Sequence, residues 1–141
     1  MANSPSGNSM IRRLVERLSS RESVVNEAKV AGRLPVHISS SGLVLLAHSL
    51  PPVQEAYLER NAETLGARQL RRDLAGVRQS GFAALAGYVV ADTSGITVPV
   101  LGRRQEINAA LGVVVAAGEE NIPATVPALM TAARGIARAV A

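Results

Sequence analysis

Apolar residues recur at helical spacing through much of the first 80 residues. Residues 11–18 alternate an apolar and a charged face, which predicts a short amphipathic helix. Residues 33–38 should begin extended, because Pro35 keeps the preceding residue out of helical geometry. Three serines at 39–41 can cap a buried apolar helix that ends near His48. The Pro51–Pro52 pair stops that helix and opens the next, which runs to Arg60.

A further helix is predicted over residues 67–80. Leu70, Leu74 and Val77 recur on one stripe, while the arginines of this stretch lie away from it. Gly81 stands where a left-handed residue would end the helix. The stripe should therefore face the core.

The period of the apolar residues changes after Gly81. Stretches rich in Val, Ile and Ala at 82–90, 96–101 and 107–116 predict strands, and residues 101–106 should form the hairpin connection between the last two. Pro99 places its strand at an edge or a bulge.

A last helix is predicted from about Pro127, with Thr125 as its cap. The elements together indicate an α/β (α+β) domain, in which helices cover an antiparallel sheet. We expect residues 1–10 to be a flexible leader, or residues left by cloning, and residues 11–141 to form a single domain.

Composition removes several classes of site. The 141 residues contain no cysteine, which excludes disulfides, zinc–thiolate sites and iron–sulfur clusters. Only 2% are aromatic, which argues against stacking on single-stranded nucleic acid. The net charge of +4 is spread out, which indicates a solvated surface. No segment is long and apolar enough to span a bilayer, and no signal peptide is evident, so we expect a cytoplasmic protein.

The two histidines, His37 and His48, are separated by eleven positions without an acidic residue between them. We therefore expect no metal site, no cofactor and no catalytic residue. His37 with Ser39 remains an alternative, as the base and nucleophile of a small hydrolase or lyase.

The sequence GRLPVHISSSGLVLLA at residues 32–47 resembles the opening of the effector-binding domain of IclR-type transcriptional regulators. Later segments follow in the order of that family, at the turn 50–52, the strands 95–100 and 109–115, and the helix 131–137. The resemblance covers the chain from Gly32 to its last residue.

This resemblance implies a GAF-like antiparallel sheet flanked by helices, a small organic effector, and a homodimer or a dimer of dimers. The family binds DNA through a winged helix-turn-helix domain. Because 31 residues precede Gly32, we expect that domain to be absent from this chain, with the first strands of the effector domain truncated or missing around residues 20–31.

Family members that sense small oxo acids hold the ligand with polar side chains at four positions, which correspond here to Leu85, Gly95, Gly112 and Val114. An apolar wall offers no partner to a buried carboxylate. We therefore expect a larger, apolar or aromatic effector, with the two glycines adding volume to the pocket.

Polar contacts should come from the start of the buried helix. The candidate residues there are Ser39, Ser40, Ser41 and Gly42. Their hydroxyl and N–H groups suit an anionic or polar head group, and Thr97 is a secondary candidate. A structural dimerisation module that binds no ligand is the remaining alternative.

Overall fold

The computed structural model describes residues 11–13, 33–35, 39–61, 66–86 and 92–140. These residues form the strands and helices β1 (Ile11–Arg13), β2 (Arg33–Pro35), α1 (Ser40–Ala47), α2 (Pro51–Arg60), α3 (Ala67–Ser80), β3 (Ala83–Ala86), β4 (Thr93–Leu101), β5 (Ile107–Ala116) and α4 (Ile122–Ala139). The predicted α+β class is confirmed.

The main sheet is antiparallel, with β4 between β3 and β5. β1 and β2 form a separate antiparallel pair. The predicted hairpin joins β4 to β5, and the observed bounds of β5 match the prediction.

Each face of the sheet is covered by different helices. Ile96, Val98 and Val100 of β4 pack against the apolar stripe of α4. The alternate residues of β4 point to the opposite face, where Thr97 contacts the start of α1. The sheet thus lies between α4 and α1.

α1 is the most buried helix of the described residues, as its apolar sequence predicts. α3 packs against α1 through Leu70, Leu74 and Val77, the stripe that its periodicity predicts. On the outside, Arg71 donates two hydrogen bonds to the carboxylate of Glu55, which ties α3 to α2.

The ends of α1 and α3 confirm the sequence prediction. The hydroxyl of Ser39 accepts a hydrogen bond from the N–H of Gly42 at 3.0 Å and so caps α1. Gly81 ends α3 with φ 86°, in the left-handed region that favours glycine.

The helix predicted over residues 11–18 is wrong at its start. Ile11–Arg13 is extended and pairs with Arg33–Pro35, and cross-strand pairing outweighs a helical pattern only two turns long. Residues 14–18, like the leader at 1–10 and the gap expected around 20–31, lie outside the described residues.

The predicted start of α4 is also wrong, because α4 begins at Ile122, about five residues before Pro127. Asn121 caps it, since its side chain accepts a hydrogen bond from the N–H of Ala124. Pro123 occupies the first turn, where its missing N–H costs little, and Pro127 lies inside the helix.

Two strands differ in length from the prediction. β3 begins one residue after Phe82, and residues 87–90 lie outside the described part. β4 begins at Thr93 rather than at Ile96.

Pro99 lies in the central strand, although its pairing is that of an edge. β3 reaches only as far as Thr97, so β4 is paired with β5 alone at Pro99. A register shift follows between Val100 and Leu101. The missing N–H of the proline therefore breaks no ladder with β3.

No helix in the described ranges combines the length and apolar character that crossing a bilayer requires.

Candidate functional site

The strand residues predicted for the site share one face of the sheet. Leu85, Gly95 and Val114 are direct partners across β3, β4 and β5, and Thr97 pairs with Gly112 in the next row. Residues that pair directly across antiparallel strands point to the same side. This face is the one that the start of α1 covers.

A cluster of hydroxyl groups joins α1 to the sheet. The Oγ of Ser40 lies 2.8 Å from the Oγ1 of Thr97, and the Oγ of Ser41 lies 3.4 Å from the same atom. Thr97 is only 1% exposed and Ser40 7%. Because each hydroxyl can donate and accept, the cluster can reorient toward a ligand without losing all of its internal bonds. We call Ser40, Ser41 and Thr97 the hydroxyl cluster.

Ser39 and Gly42 have a different role from the hydroxyl cluster. They are hydrogen-bonded to each other through the cap of α1. The N–H groups of Ser40 and Ser41 lie in the first turn, where helical geometry supplies no acceptor. The start of α1 therefore offers donors beside the hydroxyl cluster.

The two glycines allow the hydroxyl groups to approach the sheet. A Cβ atom at Gly95 would lie 2.6 Å from the Oγ of Ser40. A Cβ atom at Gly112 would lie 2.5 Å from the Oγ1 of Thr97. The expectation that these glycines add volume to a pocket is therefore not met, because hydroxyl groups occupy that space.

The part of this face above β5 is open and apolar. Gly112 is exposed, and Val114 is 41% exposed. Leu85, at the opposite end of its row, is half-buried against the core around α1. The arrangement can hold a polar group at the hydroxyl cluster and an apolar body along β5.

Of the two histidines, His48 lies within the described residues and His37 does not. The Nδ1 of His48 lies 2.9 Å from the carbonyl oxygen of Val44, at the opposite end of α1 from the hydroxyl cluster. His37, and with it the proposed pairing with Ser39, lies outside the described residues. Within the part that the structure describes, no group of acidic, histidine or cysteine side chains could hold a metal ion.

Electrostatic coupling is found away from this site. The hydrogen bonds from Arg71 lower the pKa of the Glu55 carboxyl below its usual value, and those bonds raise the pKa of Arg71. This pair is exposed and links α2 to α3, so it does not act on the hydroxyl cluster.

The sequence did not predict a cleft at the far end of α1. Its lining includes His48, Arg78 and Arg134 and none of the predicted site residues. The arginines gave no signal in the sequence, because they come from different helices and converge only in the fold.

The described part of the chain is a small α+β fold in which the start of α1 and the sheet enclose hydroxyl groups. The family model of the bacterial transcriptional regulator IclR C-terminal domain matches residues 6–140. The chain belongs to this family, whose C-terminal domains bind effectors and are not enzymes. The hydrolase alternative is therefore set aside.

Solved structures of the family are similar to this chain. An IclR homolog from Microbacterium hydrocarbonoxydans, complexed with 4-hydroxybenzoate, is 43% identical with a TM-score of 0.78, over 88% of this chain and 55% of that one. An IclR homolog from Microbacterium sp. strain HM58-2 is 39% identical with a TM-score of 0.75, over 89% and 52%. An IclR-type regulator from Silicibacter is 26% identical with a TM-score of 0.78, over 90% and 54%.

The chain thus spans about half the length of these structures. The GAF-like fold that the resemblance implied is confirmed. No curated protein gives a significant match to the chain.

Proposed function

We propose that this chain senses a small aromatic carboxylic acid for a transcriptional regulator. The acid would lie on the α1 face of the sheet, with its polar groups at the hydroxyl cluster. The observation that carries the proposal is the hydrogen-bonded set of Ser40, Ser41 and Thr97, next to an open apolar surface on β5.

The chemistry of the face favours a ring over a small oxo acid. Leu85, Gly95, Gly112 and Val114 supply no polar side chain at the four positions where oxo-acid sensors of the family use one. A compact oxo acid has little apolar surface to offset the desolvation of its carboxylate. A ring gains from contact with Val114, while its substituents reach the hydroxyl groups and the N–H groups of α1.

A relative supports the same class of ligand. The Microbacterium hydrocarbonoxydans homolog, 43% identical, was solved as a complex with 4-hydroxybenzoate. A hydroxylated aromatic acid has polar ends, which suit the hydroxyl cluster, and an apolar ring, which suits the apolar surface on β5.

We extend this proposal to the whole regulator. We expect a cytoplasmic homodimer or tetramer that contacts DNA through a winged helix-turn-helix domain outside the 141 residues. The effector would act by binding unequally to two arrangements of such an assembly, because equal binding shifts no equilibrium.

Thermal unfolding in the presence of candidate ligands tests the proposal. We expect 4-hydroxybenzoate and benzoate to raise the melting temperature by several degrees at saturating concentration. Glyoxylate and pyruvate, at the same concentration, pH and ionic strength, should leave it unchanged. The opposite ranking would contradict the proposal, and so would the absence of a shift with every acid.

Two serines, one at the start of α1 and one just past its end, provide a matched control. Ser41 contacts Thr97 at the start of the helix, whereas the hydroxyl of Ser49, just past its end, donates to the carbonyl of Leu45. Ser41→Ala should reduce the shift caused by 4-hydroxybenzoate, while Ser49→Ala should preserve it. Equal shifts in both variants would place the ligand elsewhere.

A further inference from the structure

A cleft of about 420 Å³ opens at the opposite end of α1 from the hydroxyl cluster. The ends of α1, α3 and β4, the hairpin after β4, and the second half of α4 all contribute to its wall. We call it the far cleft. α1 rises about 1.5 Å per residue, so His48 in the far cleft and Ser40 in the hydroxyl cluster are separated by roughly 12 Å along the helix.

The described lining of the far cleft carries positive charge without a counter-charge. Among the residues that the structure describes, Arg78 and Arg134 line it and no acidic residue does. The ion pair found within the described residues, Arg71 with Glu55, involves neither of them. Arg134 reaches only the hydroxyl of Thr131, at 3.4 Å. Both arginines are exposed to solvent, and a bound anion would gain from the charge of each guanidinium group within reach.

His48 adds a directed polar atom. Its Nδ1 lies 2.9 Å from the carbonyl oxygen of Val44, which can only accept, so Nδ1 carries a proton. In the neutral ring Nε2 is then an acceptor, so His48 lines the far cleft without a donor for a carboxylate.

Gln105 is held in an unfavourable backbone conformation at the rim of the far cleft. Its φ of 63° lies in the left-handed region, where glycine or asparagine is preferred. Its backbone N–H donates to the carbonyl of Gly102 in the tight hairpin after β4. Glycine would fit this turn better than Gln105 does. Gln105 instead places a long amide side chain here, and the residue lines the far cleft.

The remaining wall is apolar. Pro99 and Leu101 come from the end of β4, and Met130 comes from α4. A ligand that fits both parts has a single anionic group and a hydrocarbon chain long enough to cover the apolar wall, as the chain of hexanoate is.

We propose that the far cleft is a second binding site, which takes an aliphatic carboxylate whose hydrocarbon chain is longer than that of pyruvate or glyoxylate. Arg78 and Arg134 hold the carboxylate, the side-chain amide of Gln105 donates a further hydrogen bond, and the hydrocarbon body lies against Leu101 and Met130. The site is independent of the proposed effector site, because none of the residues predicted for that site lines the far cleft.

Titration of the whole chain with sodium hexanoate, followed by calorimetry, tests this site. Arg134→Gln should weaken hexanoate binding about tenfold, since a hydrogen bond to a charged group contributes roughly that factor. Arg138→Gln removes the same charge one turn further along α4, outside the far cleft, and should leave the affinity within twofold of wild type. Hexanamide, which lacks the charge, should not bind.

Two variants distinguish the far cleft from the proposed effector site on the α1 face. Arg134→Gln should leave the melting-temperature shift caused by 4-hydroxybenzoate unchanged, and Thr97→Val should leave hexanoate affinity unchanged. Failure of hexanoate to bind the wild-type chain would overturn the proposal. Equal affinities of Arg134→Gln and Arg138→Gln, or loss of hexanoate binding in Thr97→Val, would overturn it as well.

Discussion

Thr97 connects α1 to the sheet through a hydroxyl that is almost completely buried. Ser40 and Ser41 both contact this one atom, and Gly112 leaves room for it on the neighbouring strand. The residue therefore packs α1 against the sheet, and in the proposed function the same hydroxyl contacts the ligand.

Replacing this hydroxyl by a methyl group tests its structural role. Thr97→Val keeps the shape of the side chain but leaves the buried Oγ of Ser40 without its partner, so we expect unfolding free energy to fall by about 1–2 kcal/mol. Urea denaturation measures the change. Thr131→Val, on the exposed face of α4, should stay within about 0.5 kcal/mol of wild type.

A double variant tests whether the lost hydrogen bond between Ser40 and Thr97 causes the fall in unfolding free energy. Ser40→Ala combined with Thr97→Val removes both partners, and should cost less than the sum of the two single variants. Additive costs would show that the pair does not stabilise the fold through its hydrogen bond.

Helix ends follow local chemistry, and this explains how well each could be predicted. Ser39 and Gly81 act within one turn of chain, and both were predictable from their own neighbourhoods. The start of α4 was missed because Pro127 looked like a first-turn residue, whereas Pro123 fills that position and Asn121 caps the helix.

The corrected start of α4 has a measurable consequence. Asn121→Ala should lower the unfolding free energy by about 1 kcal/mol, because it removes the acceptor for the N–H of Ala124. Thr125→Ala, at the position first expected to cap the helix, should cost less, since it lies inside the first turns. Urea denaturation of the two variants compares them directly, and a larger cost at Thr125 would restore the later start.

Strand pairing depends on residues far apart in sequence, so it was predicted less well than the helices. Ile11–Arg13 has a helical pattern but pairs with Arg33–Pro35. Pro99 predicts an edge strand, but it lies in the central strand β4. Its pairing is nevertheless that of an edge, because β3 is short and reaches only as far as Thr97.

In the molecule as a whole, α1 and the sheet bring together candidate site residues that extend along the chain from Ser39 to Val114. The resemblance to the family identified the candidate residues, and the structure places Leu85, Gly95 and Val114 in one row of the α1 face, while their role in binding stays a prediction. The packing of hydroxyl groups against Gly95 and Gly112 could not be predicted, since it depends on distances of a few ångströms. The far cleft could not either, because its arginines belong to separate helices.

Amide NMR spectra of the chain during titration with 4-hydroxybenzoate show whether an aromatic acid binds at the α1 face. We expect saturable shifts that are largest at Ser40, Ser41 and Gly112, with Gly81 and Gln105 in the far cleft little changed. Shifts concentrated at Gly81 and Gln105, or no saturable shift at Ser40 and Gly112, would contradict it.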